Sequence, residues 1–214
     1  MAELRTEEEQ LDVIKRWWKE NGTALIAGVA IAVAGLVGWN FWQSHQASQS
    51  EAASVRYERL INLTDQGNID EARSLVAEIA DNHGGTLYAD LALLIDARLA
   101  VDAGELRDAR QALEGLIASS DHNYLQGLAR LRLARVQLAE GDAQAALDTL
   151  AQNIPEALAA QHADIRGDAL HVLERRDEAR QAWQEALAIA EQHDQPIYGV
   201  QLKLDDLGLE ETPL

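Results

Sequence analysis

Cysteine is absent from this chain of 214 residues, and proline (three), methionine (one) and phenylalanine (one) are nearly so. Without cysteine there is no disulfide, thiolate metal site, cysteine nucleophile or thiol redox chemistry. Scarce proline removes the commonest helix breaker. Positive charge is also in short supply: 18 Lys and Arg stand against 36 Asp and Glu. Phosphate binding needs clustered cations, so nucleic acid is not expected as a partner. Catalytic signatures are missing too, with no HExxH, nucleophile elbow or phosphate-cradling glycine loop. His45, His83, His122, His162, His171 and His193 are scattered. His162 and Asp164, two apart on a helix, do not share a face. The turns GNID and GDAQ lack the alternating oxygen ligands of a calcium loop. No catalytic residue, metal or cofactor is therefore assigned, and a non-enzymatic role is expected.

What the chain does have is one long apolar run, Ala24 to Trp42, inside an interval without Lys, Arg, Asp or Glu from Asn21 to Ser50. A helix over that run covers roughly 28 Å, close to the thickness of a bilayer's hydrocarbon core. Trp17 and Trp18 precede it, and Trp39, Phe41 and Trp42 end it, where interfacial aromatics belong. The reading is a transmembrane anchor over 21–43 after a short cytoplasmic N-terminus, 1–20. A buried helix of a soluble protein is the bland alternative. A cleaved signal peptide is the other, but bulky Trp39, Phe41 and Trp42 stand where small residues should mark cleavage. Lys15, Arg16 and Lys19 lie just before the run, whereas the first basic residues after it are Arg56 and Arg59. The positive-inside rule then leaves residues 44–214 on the exported side. Within the run, Ala24, Gly28, Ala32 and Ala30, Ala34, Gly38 form two rows of small residues at four-residue spacing. Such rows favour helix packing in lipid, although Ala and Gly are common in membrane helices anyway.

Beyond the run the sequence repeats itself. GNIDEARSLVAEIA from Gly67, GELRDARQALEGLI from Gly104 and GDAQAALDTLAQNI from Gly141 share Gly, then Ala five on (Ala72, Ala109, Ala146), then an apolar residue four further (Val76, Leu113, Leu150). ERRDEARQAWQEAL from Glu174 is a fourth copy, with Ala179 and Trp183 in the matching places. A small residue stands seven before the turn at Ala97, Ala134 and Gly167, but Leu60 occupies that place in the first copy. Helix, tight turn, helix is the implied unit. The pattern resembles the tetratricopeptide repeat, with a few extra residues between units. The expected fold class is all-α: one N-terminal transmembrane helix, then a tetratricopeptide-like α-solenoid of about four divergent helix pairs over 44–195. A capping helix and tail over 196–214 would cover the apolar face a repeat stack leaves at its end.

Over its whole length the chain resembles one bacterial family, the YfgM family of ancillary SecYEG translocon subunits. The resemblance is carried by IKRWWKENG, the apolar run, ARLRLARVQLAEGD, IRGDALHVL and the terminal LKLDDL, in that order. It implies a single-pass protein of the bacterial inner membrane with a periplasmic repeat domain. It also implies two partners, the SecYEG translocon and a membrane-anchored periplasmic chaperone of the peptidyl-prolyl isomerase type. A chaperone-like accessory would in addition contact exported unfolded proteins.

In tetratricopeptide geometry the concave face is lined at fixed offsets before the turn glycine. Here those positions are Leu91, Leu94, Arg98 and Val101, then Leu128, Leu131, Arg135 and Leu138. Two matching rows suggest an apolar groove with two arginines in register, suited to a peptide segment or partner helix. The competing reading is that these leucines are core and that Arg98 pairs with Asp102. The function expected is a membrane-tethered protein-binding accessory of the translocon. The alternative is a scaffold that sequesters a signalling protein at the membrane.

Overall fold

The computed structural model describes residues 7–210, with side chains from 11 to 208, and no strand occurs among them. The chain divides between Gln49 and Ser50 into two compact units. Helix α1 (Glu7–Asp65) contributes to both; α2 (Ile69–His83), α3 (Leu87–Asp102), α4 (Leu106–Ser119) and α5 (Asn123–Ala139) follow. After α6 (Ala143–Leu150) a 3₁₀ turn at Glu156–Leu158 leads to α7 (Ala159–Val172), α8 (Arg176–Gln192) and α9 (Val200–Glu210). Neither Gly nor Pro occurs between Gly38 and Gly67, so nothing in the sequence ends α1 before the first repeat turn.

In the first unit the apolar run is exposed on all sides, with Ile31, Leu36 and Phe41 each at least 70% exposed. A core helix of a soluble domain would bury such a surface. The helix is long and apolar enough to cross a membrane.

The second unit begins with the last turns of α1 paired with α2, followed by the pairs α3–α4, α5–α6 and α7–α8. Each first helix ends in the same pair of bonds. Gly104 N donates to Val101 O at 2.9 Å, and Glu105 N to Ala100 O at 2.8 Å. Gly67, Gly141 and Glu174, with the residue after each, repeat this arrangement. It is the Schellman closure, which needs a left-handed residue at the turn. Glycine supplies it three times at φ between 77° and 84°; Glu174 is driven to φ 60° by the same pair of bonds.

The residues five after each turn, Ala72, Ala109, Ala146 and Ala179, are wholly buried, and Val76, Leu113, Leu150 and Trp183 behind them are 1–3% exposed. Across each pair the volumes trade off. Leu60 and Val76 share one core cluster, Ala97 and Leu113 the next, Ala134 and Leu150 the third. In the fourth pair the largest side chain, Trp183, fills the space left by the smallest, Gly167. Leu60 is thus accommodated by a smaller partner, which is how the first copy departs from the pattern and still packs. The four clusters run in series, joined by Leu93, Leu128 and Leu147, each of which packs against two of them. Helix α9 closes the series: Val200 and Leu207 are 0% and 1% exposed in the cluster around Trp183.

Candidate protein-interaction surface

The two rows expected to line a groove divide on folding. Leu94 and Leu131 are 5% and 1% exposed, inside the second and third clusters, so the expectation that they face a groove is corrected. Leu91 and Leu128 are half-buried against the second cluster, and Leu138 against the third. These leucines sit between successive helix pairs, where stacking uses them as core. Arg98, Val101 and Arg135 are exposed and line one cavity of about 300 Å³. Its apolar floor is Ala97, Leu113 and Val136, with Leu106 and Ala139 beside them.

A residue absent from the expected rows completes the site. Arg132, one helical turn before Arg135 on α5, is half-buried and also lines the cavity. Burial, and then the charges of Arg135 and Arg98, hold its guanidinium below the ordinary arginine value. Arg98 meets Asp102 loosely, at 3.6 Å between two exposed side chains. Neither Arg132 nor Arg135 has a carboxylate partner among the described residues, and none of the cavity's lining residues is acidic. Other arginines pair with acids, among them Arg56 with Glu78 at 2.8 Å, Arg73 with Glu105 at 2.5 Å, Arg166 with Glu185 at 2.6 Å, and Arg110 with Glu140, whereas Arg130 bonds Gln152 and the carbonyl of Asn153. The spacing of Arg132 and Arg135, three apart on one helix, was the signal available in the sequence.

Two polar clusters serve the scaffold. Buried Asp90 accepts from Ser120 Oγ at 2.5 Å and lies 2.8 Å from His122 Nδ1. The hydroxyl donates to the carboxylate and not to the imidazole, so the nucleophile–base contact of a hydrolase is not formed. The cluster ties α3 to the loop between α4 and α5. In the other, Lys203 Nζ on α9 reaches Asp164 at 2.7 Å and Asp168 at 2.5 Å on α7. Trp183 Nε1 donates to Asp164 O and Asp168 Oδ1. Burial lowers the Lys203 pKa, but its bonds to both carboxylates outweigh that and leave it raised. Burial pushes Asp168 up against the opposing pull of Lys203 and Trp183, and the neighbouring Asp164 carboxylate adds to the rise. His162 Nε2 lies 3.1 Å from Leu150 O, while Asp164 turns to Lys203, so this pair does not converge.

In the first unit, Ala24, Gly28, Ala30, Ala32, Ala34 and Gly38 are all exposed, and a Cβ at Gly28 or Gly38 would meet nothing within 4 Å.

Serial helix pairs, a shared turn and a terminal cap define a tetratricopeptide-like solenoid. The pattern of the tetratricopeptide repeat-like domain matches residues 15–209. A protein of Escherichia coli K12 named ancillary SecYEG translocon subunit is 38% identical over 86% of this chain and 88% of its own length. Proteins of the same name from Haemophilus influenzae and Aggregatibacter actinomycetemcomitans are 34% and 32% identical, over 78% and 97% of this chain and 82% and 100% of their own lengths. The chain belongs to this family of ancillary SecYEG translocon subunits.

Proposed function

We propose that the chain is a membrane-tethered, protein-binding accessory of the Sec translocon, with α1 as the anchor and the repeat unit on the exported, periplasmic side of a bacterial inner membrane. The observation that carries the reading is the near full-length match to relatives named ancillary SecYEG translocon subunit. The exposed apolar run of α1 supports the anchor, and Lys15, Arg16 and Lys19 before it support the orientation. Tethering raises the effective concentration of the repeat unit near the translocon, so modest affinities suffice for emerging chains or a membrane-anchored peptidyl-prolyl isomerase-type chaperone. The small-residue rows of α1 are the proposed packing face within the bilayer.

Affinity purification of the full chain from its native membranes in mild detergent tests this, with SecYEG expected in the eluate and its absence overturning the reading. Replacing residues 21–43 with an unrelated apolar span of equal length separates the two modes of attachment. Loss of SecYEG assigns the contact to the anchor; retention assigns it to the repeat unit. Because the chain lacks cysteine, Asp121→Cys provides a single reporter. Labelling of spheroplasts by a membrane-impermeant maleimide is expected, and labelling only after lysis would reverse the orientation.

A further inference from the structure

We propose that the cavity bounded by Arg98, Arg132 and Arg135 is a docking subsite for an acidic segment of a partner polypeptide, one that carries a large apolar side chain among its carboxylates. The proposal rests on the protein-binding reading above and names the chemistry that the site selects.

Charge complementarity is the first argument. From residue 43 onward the chain has 30 acidic and 14 basic residues, so three cations gathered around one cavity with no acid in its lining stand out. Arg132 and Arg135 have no carboxylate among the described residues. The nearby acid, Asp102, touches only Arg98, and at a distance that makes little of the pair. Grouping like charges is unfavourable in the free protein, and burial of Arg132 increases that cost. An incoming carboxylate relieves it, and the planar guanidinium can hold one through two parallel bonds.

The second argument is the floor. Ala97, Leu113 and Val136 present an apolar surface beneath the cations, and the volume of about 300 Å³ lies at the small end of ligand clefts. A purely acidic segment would leave that floor wet. A purely apolar one would bury Arg132 without a counter-charge. An acidic segment with one Leu, Ile, Phe, Met or Trp satisfies both, by the hot-spot logic of an apolar anchor ringed by polar contacts.

The test is selection of displayed random twelve-residue peptides on the full chain in nanodiscs of zwitterionic lipid. A parallel selection uses Arg98→Glu/Arg135→Glu. Both positions are exposed, and an unchanged unfolding midpoint confirms that the variant folds. Enrichment of net-negative peptides with a large apolar residue is expected on the wild type only. A selected peptide, synthesised and labelled, should bind the variant at least about tenfold more weakly, and should weaken with salt. Neutral or basic winners, equal enrichment on the variant, or no enrichment would each overturn the proposal. SecYEG co-purification with the wild-type chain keeps the readings apart. A wild-type chain that retains the translocon but enriches no acidic, apolar-anchored peptide sinks the subsite alone.

Discussion

Trp183 on α8 occupies the space that a side chain at Gly167 on α7 would take: a Cβ there would overlap the indole at Nε1 and Cδ1. The same indole donates to Asp164 O and Asp168 Oδ1, so it has little freedom to retreat. Gly167→Ala is expected to cost about 1–3 kcal/mol by overpacking. Gly115 on α4, where a Cβ meets nothing within 4 Å, is the control. Gly115→Ala should be neutral or stabilising by up to about 1 kcal/mol. Denaturant unfolding of both variants checks the contrast, and equal effects would show that the Gly167–Trp183 fit is unimportant.

The turn at Glu174 holds a glutamate at φ 60° where its three equivalents are glycine. Glu174→Gly removes the strain of a Cβ in the left-handed region and should stabilise by roughly 0.5–1 kcal/mol. The reciprocal Gly104→Glu should destabilise by a similar amount. Thermal midpoints moving in opposite directions are the expected result.

Leu131 and Arg135 lie one turn apart on α5 but do different jobs. Leu131→Asp places a carboxylate at a site 1% exposed and should cost more than about 4 kcal/mol, with loss of cooperative unfolding. Arg135→Glu changes an exposed side chain and should stay within about 0.5 kcal/mol of the wild type. Circular dichroism melts distinguish the two.

Lys203 is the ionic link between α9 and α7. Lys203→Met leaves Asp164 and Asp168 without their cation, for an expected loss of about 1–3 kcal/mol. Because α9 covers the end of the stack, hydrogen exchange should rise first in α9 and the facing turn of α8. Exchange unchanged in α9 would mean that Val200 and Leu207 hold it without help.

His162 has a pKa below the ordinary histidine value, mainly because it is buried; its bond to Leu150 O opposes the shift and Arg166 adds to it. The folded state therefore prefers the neutral ring. That contribution is fully present above about pH 6.5 and is lost as pH falls through the lowered folded value. The fall in stability between pH 7.5 and pH 5 should be shallower in His162→Gln than in the wild type, measured by urea titration at each pH.

Much of the architecture was readable in advance because it rests on local rules. The apolar run has a helix's length and no charge, and the Gly–Ala–apolar spacing recurs with the period of a helix pair. The place of Glu174 in the repeat marks it as a turn, and its positive φ has the same cause as that of the glycines. The interaction surface was less readable. Leu94 and Leu131 show the same helical spacing whether a neighbouring helix or a partner covers them, and periodicity cannot separate these cases. Arg132 lies outside the positions that repeat geometry assigns to the concave face, so the repeat pattern does not point to it.

Sequence alone therefore determined the helices, their turns, the anchor-length run and the family, since each depends on residue type at short separation. Tertiary structure decided which leucines became core, how Trp183 and Gly167 share one volume, and which arginines were left unmatched around a cavity. Those outcomes depend on residues distant in sequence but adjacent once the helix pairs stack, and no periodicity within a single helix encodes them.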